Sequence, residues 1–75
     1  MAGELKIGIV GAKFAGSFHV ECWKTVPGAR IVAVADIDDK ARKDFCGKYE
    51  IPKGYNDYHK LLEDPQVEVV DICLP

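Results

Sequence analysis

The chain has 75 residues, with 10 Lys+Arg against 12 Asp+Glu, a net charge of −2, 48% hydrophobic and 29% charged residues. That composition belongs to a folded domain rather than a disordered segment, and the length allows one small domain. A mildly acidic balance (pI near 5.6) argues against nucleic acid or an anionic membrane surface as the main partner, and no apolar run approaches the roughly 20 residues of a transmembrane helix.

The first four residues, Met1-Ala2-Gly3-Glu4, carry neither the basic nor the apolar region of a secretory signal. Leu5 to Val10 is short and β-branched and runs straight into Gly11, which predicts a buried strand ending in a glycine turn. Residues 13 to 26 show helical spacing, with Ala15, Phe18, Cys22 and Val26 on one stripe, and Pro27-Gly28 stops the helix. Arg30 to Ala35 is continuously apolar after Arg30, as in a strand covered on both faces, and it ends at Asp36. Asp38 or Asp39 can cap the next helix, whose apolar positions Ala41, Phe45 and Tyr49 recur every four residues. Gly54 to Asn56 has room only for a very short strand. Asp57 is an N-cap for a brief helix carrying Leu61 and Leu62, and Pro65 lies just past its end. Val67 to Leu74 is the last strand.

Alternating strands and helices with short connections predict right-handed crossovers and a parallel sheet. The expected fold is α/β, Rossmann-type, with four strands in the order 3-2-1-4 and three helices, an incomplete doubly wound arrangement. In that layout the first two helices lie on one face, and the last strand is an edge with little over it. Val67, Val69, Val70 and Ile72 are nevertheless residues of a strand buried on both sides. Residues 1–75 are therefore expected to be the beginning of something larger, completed by further strands and helices or by a partner subunit. Cys22, Cys46 and Cys73 are odd in number and widely spaced, which fits neither a disulfide framework nor paired metal ligands. Reduced cysteines and a cytoplasmic setting are the expectation.

Gly11-Ala12-Lys13-Phe14-Ala15-Gly16 stands between the first strand and the first helix, where a dinucleotide-binding fingerprint would stand. Gly11 would permit the tight turn, Gly16 the close packing of the helix, and the helix N-terminus would receive a pyrophosphate. Lys13 replaces the middle glycine of the pattern. Its Cβ would crowd the site, while its ammonium would reach a phosphate oxygen; the sequence leaves both readings open. Asp36 follows Gly16 by twenty residues, at the end of the second strand. A carboxylate there accepts hydrogen bonds from the adenine-ribose hydroxyls and repels a 2′-phosphate, so NAD is expected in preference to NADP. Asp38 and Asp39 add to that repulsion. Lys40 and Arg42 argue the other way, unless they belong to a solvated helix face. A plain turn or helix cap is the alternative role for Asp36.

With these residues in place the chain resembles the N-terminal domain of the Gfo/Idh/MocA family, the glucose–fructose oxidoreductase and inositol dehydrogenase group. The resemblance covers the whole chain. It rests on Lys6 to Gly11, on Phe14 to Gly16 followed by His19, and on Ile31 to Asp36. It continues through Tyr55-Asn56-Asp57-Tyr58 and Leu61 to Pro65, and closes with Val69 to Pro75. The late segment, a helix ending in Asp-Pro and then a strand ending in Cys-Leu-Pro, is the most specific part. The resemblance implies a nicotinamide-dependent oxidoreductase acting on a sugar, cyclitol or related polyol, and a homo-oligomer. Gly11, Lys13, Phe14, Ala15 and Gly16 match the pyrophosphate turn, with lysine a tolerated variant at the middle position. Asp36 matches the ribose position, and Leu74 and Pro75 match the loop near the nicotinamide ribose. The family's catalytic lysine lies in a Glu-Lys-Pro segment after the next strand, and its substrate domain follows later. Neither lies within residues 1–75.

No residue is therefore assigned a catalytic role, and no metal ligand set is expected. A non-catalytic nucleotide-binding or sensing module, or an inactive fragment, is the alternative function. His19 reads as a histidine packed behind the glycine turn rather than a general base. His59 is expected on the exposed side of the short helix. Phe18, Trp23 and Phe45 are expected in the core, and Cys73 as a small buried hydrophobe. Asp71, polar inside an apolar strand, requires a partner that the sequence does not name.

Overall fold

The computed structural model describes residues 4–74. Seven elements follow in alternation: β1 (Leu5–Val10), α1 (Phe14–Trp23), β2 (Ala29–Ala35), α2 (Asp39–Tyr49), β3 (Lys53–Tyr55), α3 (Tyr58–Leu62) and β4 (Val69–Ile72). The strands form one parallel sheet in the order β3-β2-β1-β4, as expected from the alternation. β1 is central. It pairs with β2 from Leu5↔Ala29 to Val10↔Ala35, with a register shift between Ile7 and Gly8, and with β4 from Ile7↔Val69 to Val10↔Ile72.

The two faces of the sheet carry separate cores. On one face Ile7, Ile9 and Val34 pack with Val20 of α1, Phe45 of α2, Ala12, Ile51 and Cys73. On the other, Val10, Val32, Ala33 and Ala35 pack with Leu61 of α3. Alternate residues of each strand point to opposite faces, so strands apolar at every position build both cores at once. This is why β1 and β2 read as continuous apolar runs. Their C-terminal ends are the most deeply buried, and the functional turn grows from them.

The caps follow the sequence. Asp38 accepts the Ala41 N–H at 3.0 Å and starts α2; Asp57 accepts the His59 N–H at 2.9 Å and starts α3. α2 ends at Glu50, which adopts a left-handed backbone with φ 55°. Three details differ from the sequence reading. α1 ends at Trp23 rather than at residue 26, because the chain turns off through hydrogen bonds from Thr25 N–H to the Cys22 carbonyl and from Val26 N–H to the Trp23 carbonyl. β4 is limited to four residues. The apolar stripe of α1 is also displaced: the buried positions are Gly16 and Val20, whereas Phe18 is 63% exposed and Cys22 and Val26 are exposed. The helix meets the Gly11 turn and Phe45 of α2 through a glycine, which contributes no hydrophobic signal to a periodicity count, and reaches the sheet core with Val20. Phe45 is in the core as expected, and Trp23 packs half-buried against it.

β4 is an edge strand, and Ile72 is 67% exposed. No helix among the described residues is long and apolar enough to cross a membrane.

Candidate functional site

The C-terminal ends of β1, β2 and β4 and the N-terminus of α1 surround a cleft of about 460 Å³ lined by Gly11, Lys13, Phe14, Ala15, Asp36, Ile37, Cys73 and Leu74. Six of these, all but Ile37 and Cys73, are among the residues picked from the sequence as cofactor ligands. Pro75 lies outside the described residues, and Gly16 lies buried just behind the rim.

Gly11 and Gly16 are demanded by close approach. Gly11 has φ +110°, and a Cβ there would stand 2.7 Å from the Cys73 carbonyl oxygen. A Cβ on Gly16 would stand 2.1 Å from the Gly11 carbonyl oxygen. α1 thus starts in direct contact with the turn that precedes it. Lys13 is the N-cap of α1, with extended backbone (φ −105°, ψ −151°) that any residue adopts. Its side chain makes no cap bond, and the first turn holds no acidic residue. The amides of that first turn have no intrahelical acceptor, so their N–H groups and the positive end of the helix dipole face the cleft. The two glycines let the turn close tightly on Cys73 and on the start of α1, and the donors of that first turn suit an anion. A pyrophosphate fits these donors.

Of the two readings that the sequence leaves open for Lys13, the structure describes the place of its ammonium. Its ammonium lies 3.5 Å from Asp38 Oδ2, on the exposed rim. Phe14 is 87% exposed and Ile37 88% exposed, so two large apolar side chains flank the opening. Ile37 went unnoticed in the sequence, although its place directly after Asp36 was the available signal.

Asp36 serves the turn itself. Its Oδ2 accepts the Ala12 N–H and its Oδ1 accepts the Asp38 N–H, both at 2.8 Å. The turn-capping role and the ribose role are compatible, since a carboxylate has about four lone-pair sites and only two are used. The bases nearby are engaged. Lys40 bonds Asp44 at 2.7 Å. Arg42 donates to the Asp36 carbonyl at 2.9 Å and pairs with Asp39 at 2.8 Å. Arg42 is only 13% exposed, so it is a brace of the β2–α2 connection and not the solvated side chain its position suggested. The hydrogen bond from Ala41 N–H and the ammonium of Lys13 hold Asp38 below the usual carboxylate range.

Asp71 finds its partners on α1. His19 Nδ1 and Trp23 Nε1 both lie 2.8 Å from Asp71 Oδ2. Burial pushes the Asp71 carboxyl up, but the bonds from His19 and Trp23 outweigh it and leave the group lowered and ionised. An ionised carboxylate only accepts, so His19 carries a proton on Nδ1. His19 is thus a half-exposed donor to β4. Cys73 is buried, and burial together with the Asp71 charge pushes its thiol up to about 11. His19, Asp71 and Cys73 bring one donor atom each within 4.8 Å of one another. Asp71 Oδ2 already takes two N–H donors and the thiol is held protonated, so the cluster is a hydrogen-bonded knot.

The comparisons agree with this geometry. The family model described as an oxidoreductase family with an NAD-binding Rossmann fold matches residues 5–75. The inositol 2-dehydrogenase of Salmonella paratyphi B is 47% identical over 70 residues, covering 91% of this chain and 21% of that protein. An oxidoreductase from Agrobacterium radiobacter, solved with NAD+, L-tartaric acid and magnesium, superposes with a TM-score of 0.89 at 33% identity, over 96% of this chain and 21% of that one. The myo-inositol dehydrogenase of Lactobacillus casei, solved with NAD(H) and myo-inositol, gives a TM-score of 0.83 at 31% identity, over 92% of this chain and 21% of that one. The chain spans about a fifth of the length of these relatives. On the match across residues 5–75 and the order of its sheet, the chain belongs to the Gfo/Idh/MocA family of oxidoreductases and carries that family's NAD-binding Rossmann fold.

Proposed function

We propose that the cleft holds a dinucleotide, NAD in preference to NADP. In this reading residues 1–75 are the cofactor-binding beginning of a larger oxidoreductase, one that moves hydride between nicotinamide and a polyol, cyclitol or sugar. The carrying observation is the glycine-built cradle at the start of α1 with the Asp36 carboxylate across the opening. The N–H groups of Phe14, Ala15 and Gly16 would meet the pyrophosphate, with Gly11 leaving room for it. Lys13 would add a positive charge at the rim. Asp36 would take the adenine-ribose hydroxyls on its two remaining lone pairs. Ile37 offers an apolar surface beside that position for the adenine ring. Leu74 would line the nicotinamide ribose. When bound, the nicotinamide supplies the hydride chemistry itself.

The preference for NAD rests on two features. Asp36 would face a 2′-phosphate with like charge. The cations that would otherwise welcome one, Lys13, Lys40 and Arg42, are each paired with an aspartate. The alcohol proton requires a base titrating near neutral pH. Cys73, with its thiol near 11, does not meet that need. We therefore place the acid–base group, the substrate-binding surface and the oligomer contacts in the part of the protein outside residues 1–75. A polyol substrate is supported by the names of the inositol dehydrogenases among the relatives. Three free cysteines suit a reducing, cytoplasmic setting.

The test is a pair of titrations of the whole protein, one with NAD+ and one with NADP+. NAD+ should bind at least about tenfold more tightly, the worth of roughly 1.4 kcal/mol of charge repulsion. Equal or tighter binding of NADP+ would overturn the role given to Asp36. Failure of both would overturn the dinucleotide reading.

A further inference from the structure

We propose that Asp71 is a positioning residue for the cleft: it ties the helix whose N-terminus forms one wall to the strand whose end forms the other. The inference rests on the dinucleotide reading above and adds a residue outside the cleft lining to it.

Residue 71 lies in β4, opposite Ile9 of β1. On the same face Val69 and Cys73 pack in the core shared with α1 and α2. A valine at position 71 would continue that core. The chain instead places a carboxylate there, at a cost in desolvation, and satisfies it with two donors one helical turn apart, His19 and Trp23. Apolar packing tolerates sliding, whereas two N–H bonds converging on one oxygen fix both the height and the rotation of α1 against β4.

The fixed distance matters two residues further on. The Cys73 N–H bonds the Val10 carbonyl at 2.7 Å, and the Cys73 carbonyl oxygen lies 2.7 Å from where a Gly11 Cβ would stand. Cys73 and Leu74 then form the wall facing Lys13, Phe14 and Ala15. The turn belongs to α1 and the opposite wall to β4. No strand pairing sets the angle between a helix and a strand; apolar packing holds α1 against β4, and the side-chain tie fixes their register. Asp71 supplies it from beneath the cleft, out of contact with the bound molecule.

The experiment uses the whole protein and its Asp71→Ala, Asp71→Asn and Trp23→Phe variants. NAD+ affinity is measured by titration, and the indole N–H resonance of Trp23, assigned by its loss in Trp23→Phe, is followed during the titration. Asp71→Ala should weaken NAD+ binding about tenfold, while Asp71→Asn should stay within about threefold, because both donors use one oxygen that an amide also provides. Trp23→Phe removes one of the two donors and should fall between them, which keeps the test open if Asp71→Ala does not fold. The Trp23 indole resonance should shift on adding NAD+, although Trp23 is not in the cleft. Wild-type binding with NAD+ affinity unchanged in folded Asp71→Ala and a motionless indole resonance would overturn the tie alone. An Asp71→Asn variant as weak as Asp71→Ala would also overturn it. A wild-type protein that binds no NAD+ would overturn the tie together with the dinucleotide reading.

Discussion

Gly11 is the residue on which the cleft depends most sharply. Its φ of +110° and the Cys73 carbonyl oxygen 2.7 Å from its missing Cβ leave no conformation in which a side chain fits. Gly11→Ala should destabilise the protein by at least about 2 kcal/mol, read from a urea unfolding curve, and should abolish dinucleotide binding in whatever remains folded. An alanine variant with unchanged stability would contradict the geometry. Gly11 and Asp36 were legible in the sequence because their signal is local: a glycine after an apolar run, an acid after the next one. The dual use of Asp36 was not, since only the fold brings its carboxylate to the Ala12 N–H. The knot of His19, Trp23 and Asp71 was equally hidden. Its bonds span 52 and 48 residues, and no spacing rule connects positions so far apart.

At the scale of elements, order and type followed from the alternation of apolar runs with glycine and proline breaks, and the caps at Asp38 and Asp57 followed from residue type. What the sequence misplaced was the buried side of α1. A helix that meets the Gly11 turn and α2 through Gly16 hides part of its contact face from a hydrophobic count, and Phe18 then looks like core while standing in solvent. The short elements β3 and α3 depend on a side-chain tie of their own. Asp64 is buried at the end of α3 and accepts from Tyr55 Oη at 2.7 Å, Lys53 Nζ at 3.2 Å and the Gln66 N–H at 2.8 Å. The hydrogen bond to Asp64 pushes the Tyr55 phenol up. Tyr55→Phe removes one donor while Lys53 and Gln66 keep the carboxylate satisfied, so the expected loss is about 1 kcal/mol in a denaturant melt. A loss well above 3 kcal/mol would mean that Tyr55 is the main support of this corner.

For the whole molecule, charge sets a window of stability. Asp38, Asp57, Asp64 and Asp71 all have carboxyls lowered from 3.8, chiefly by backbone hydrogen bonds for the first three and by His19 and Trp23, against burial, for Asp71. A lowered folded-state value stabilises the fold above the unfolded value and is lost as pH falls below it. Cys73 works in the opposite sense: its thiol is raised from 9.0 to about 11, so the folded state keeps a proton that the unfolded chain releases. Stability should therefore be level through neutral pH, fall below about pH 4 and fall again above about pH 9, with Cys73→Ser removing much of the alkaline decline. Thermal midpoints across that range check it, and an alkaline decline unchanged in Cys73→Ser would contradict the assignment. Two apolar cores on one sheet explain why so short a sequence revealed its topology.

In the proposed complex NAD+ lies between the start of α1 and the ends of β2 and β4. The most direct measurement is a titration of the isotopically labelled whole protein with NAD+, following assigned backbone amides. The largest shifts are expected at Lys13, Phe14, Ala15, Gly16, Ile37 and Leu74, which form the cleft and its turn, and none at Asp64 or Gln66, which lie outside it. Shifts confined to other residues, or no shifts at saturating NAD+, would contradict that placement.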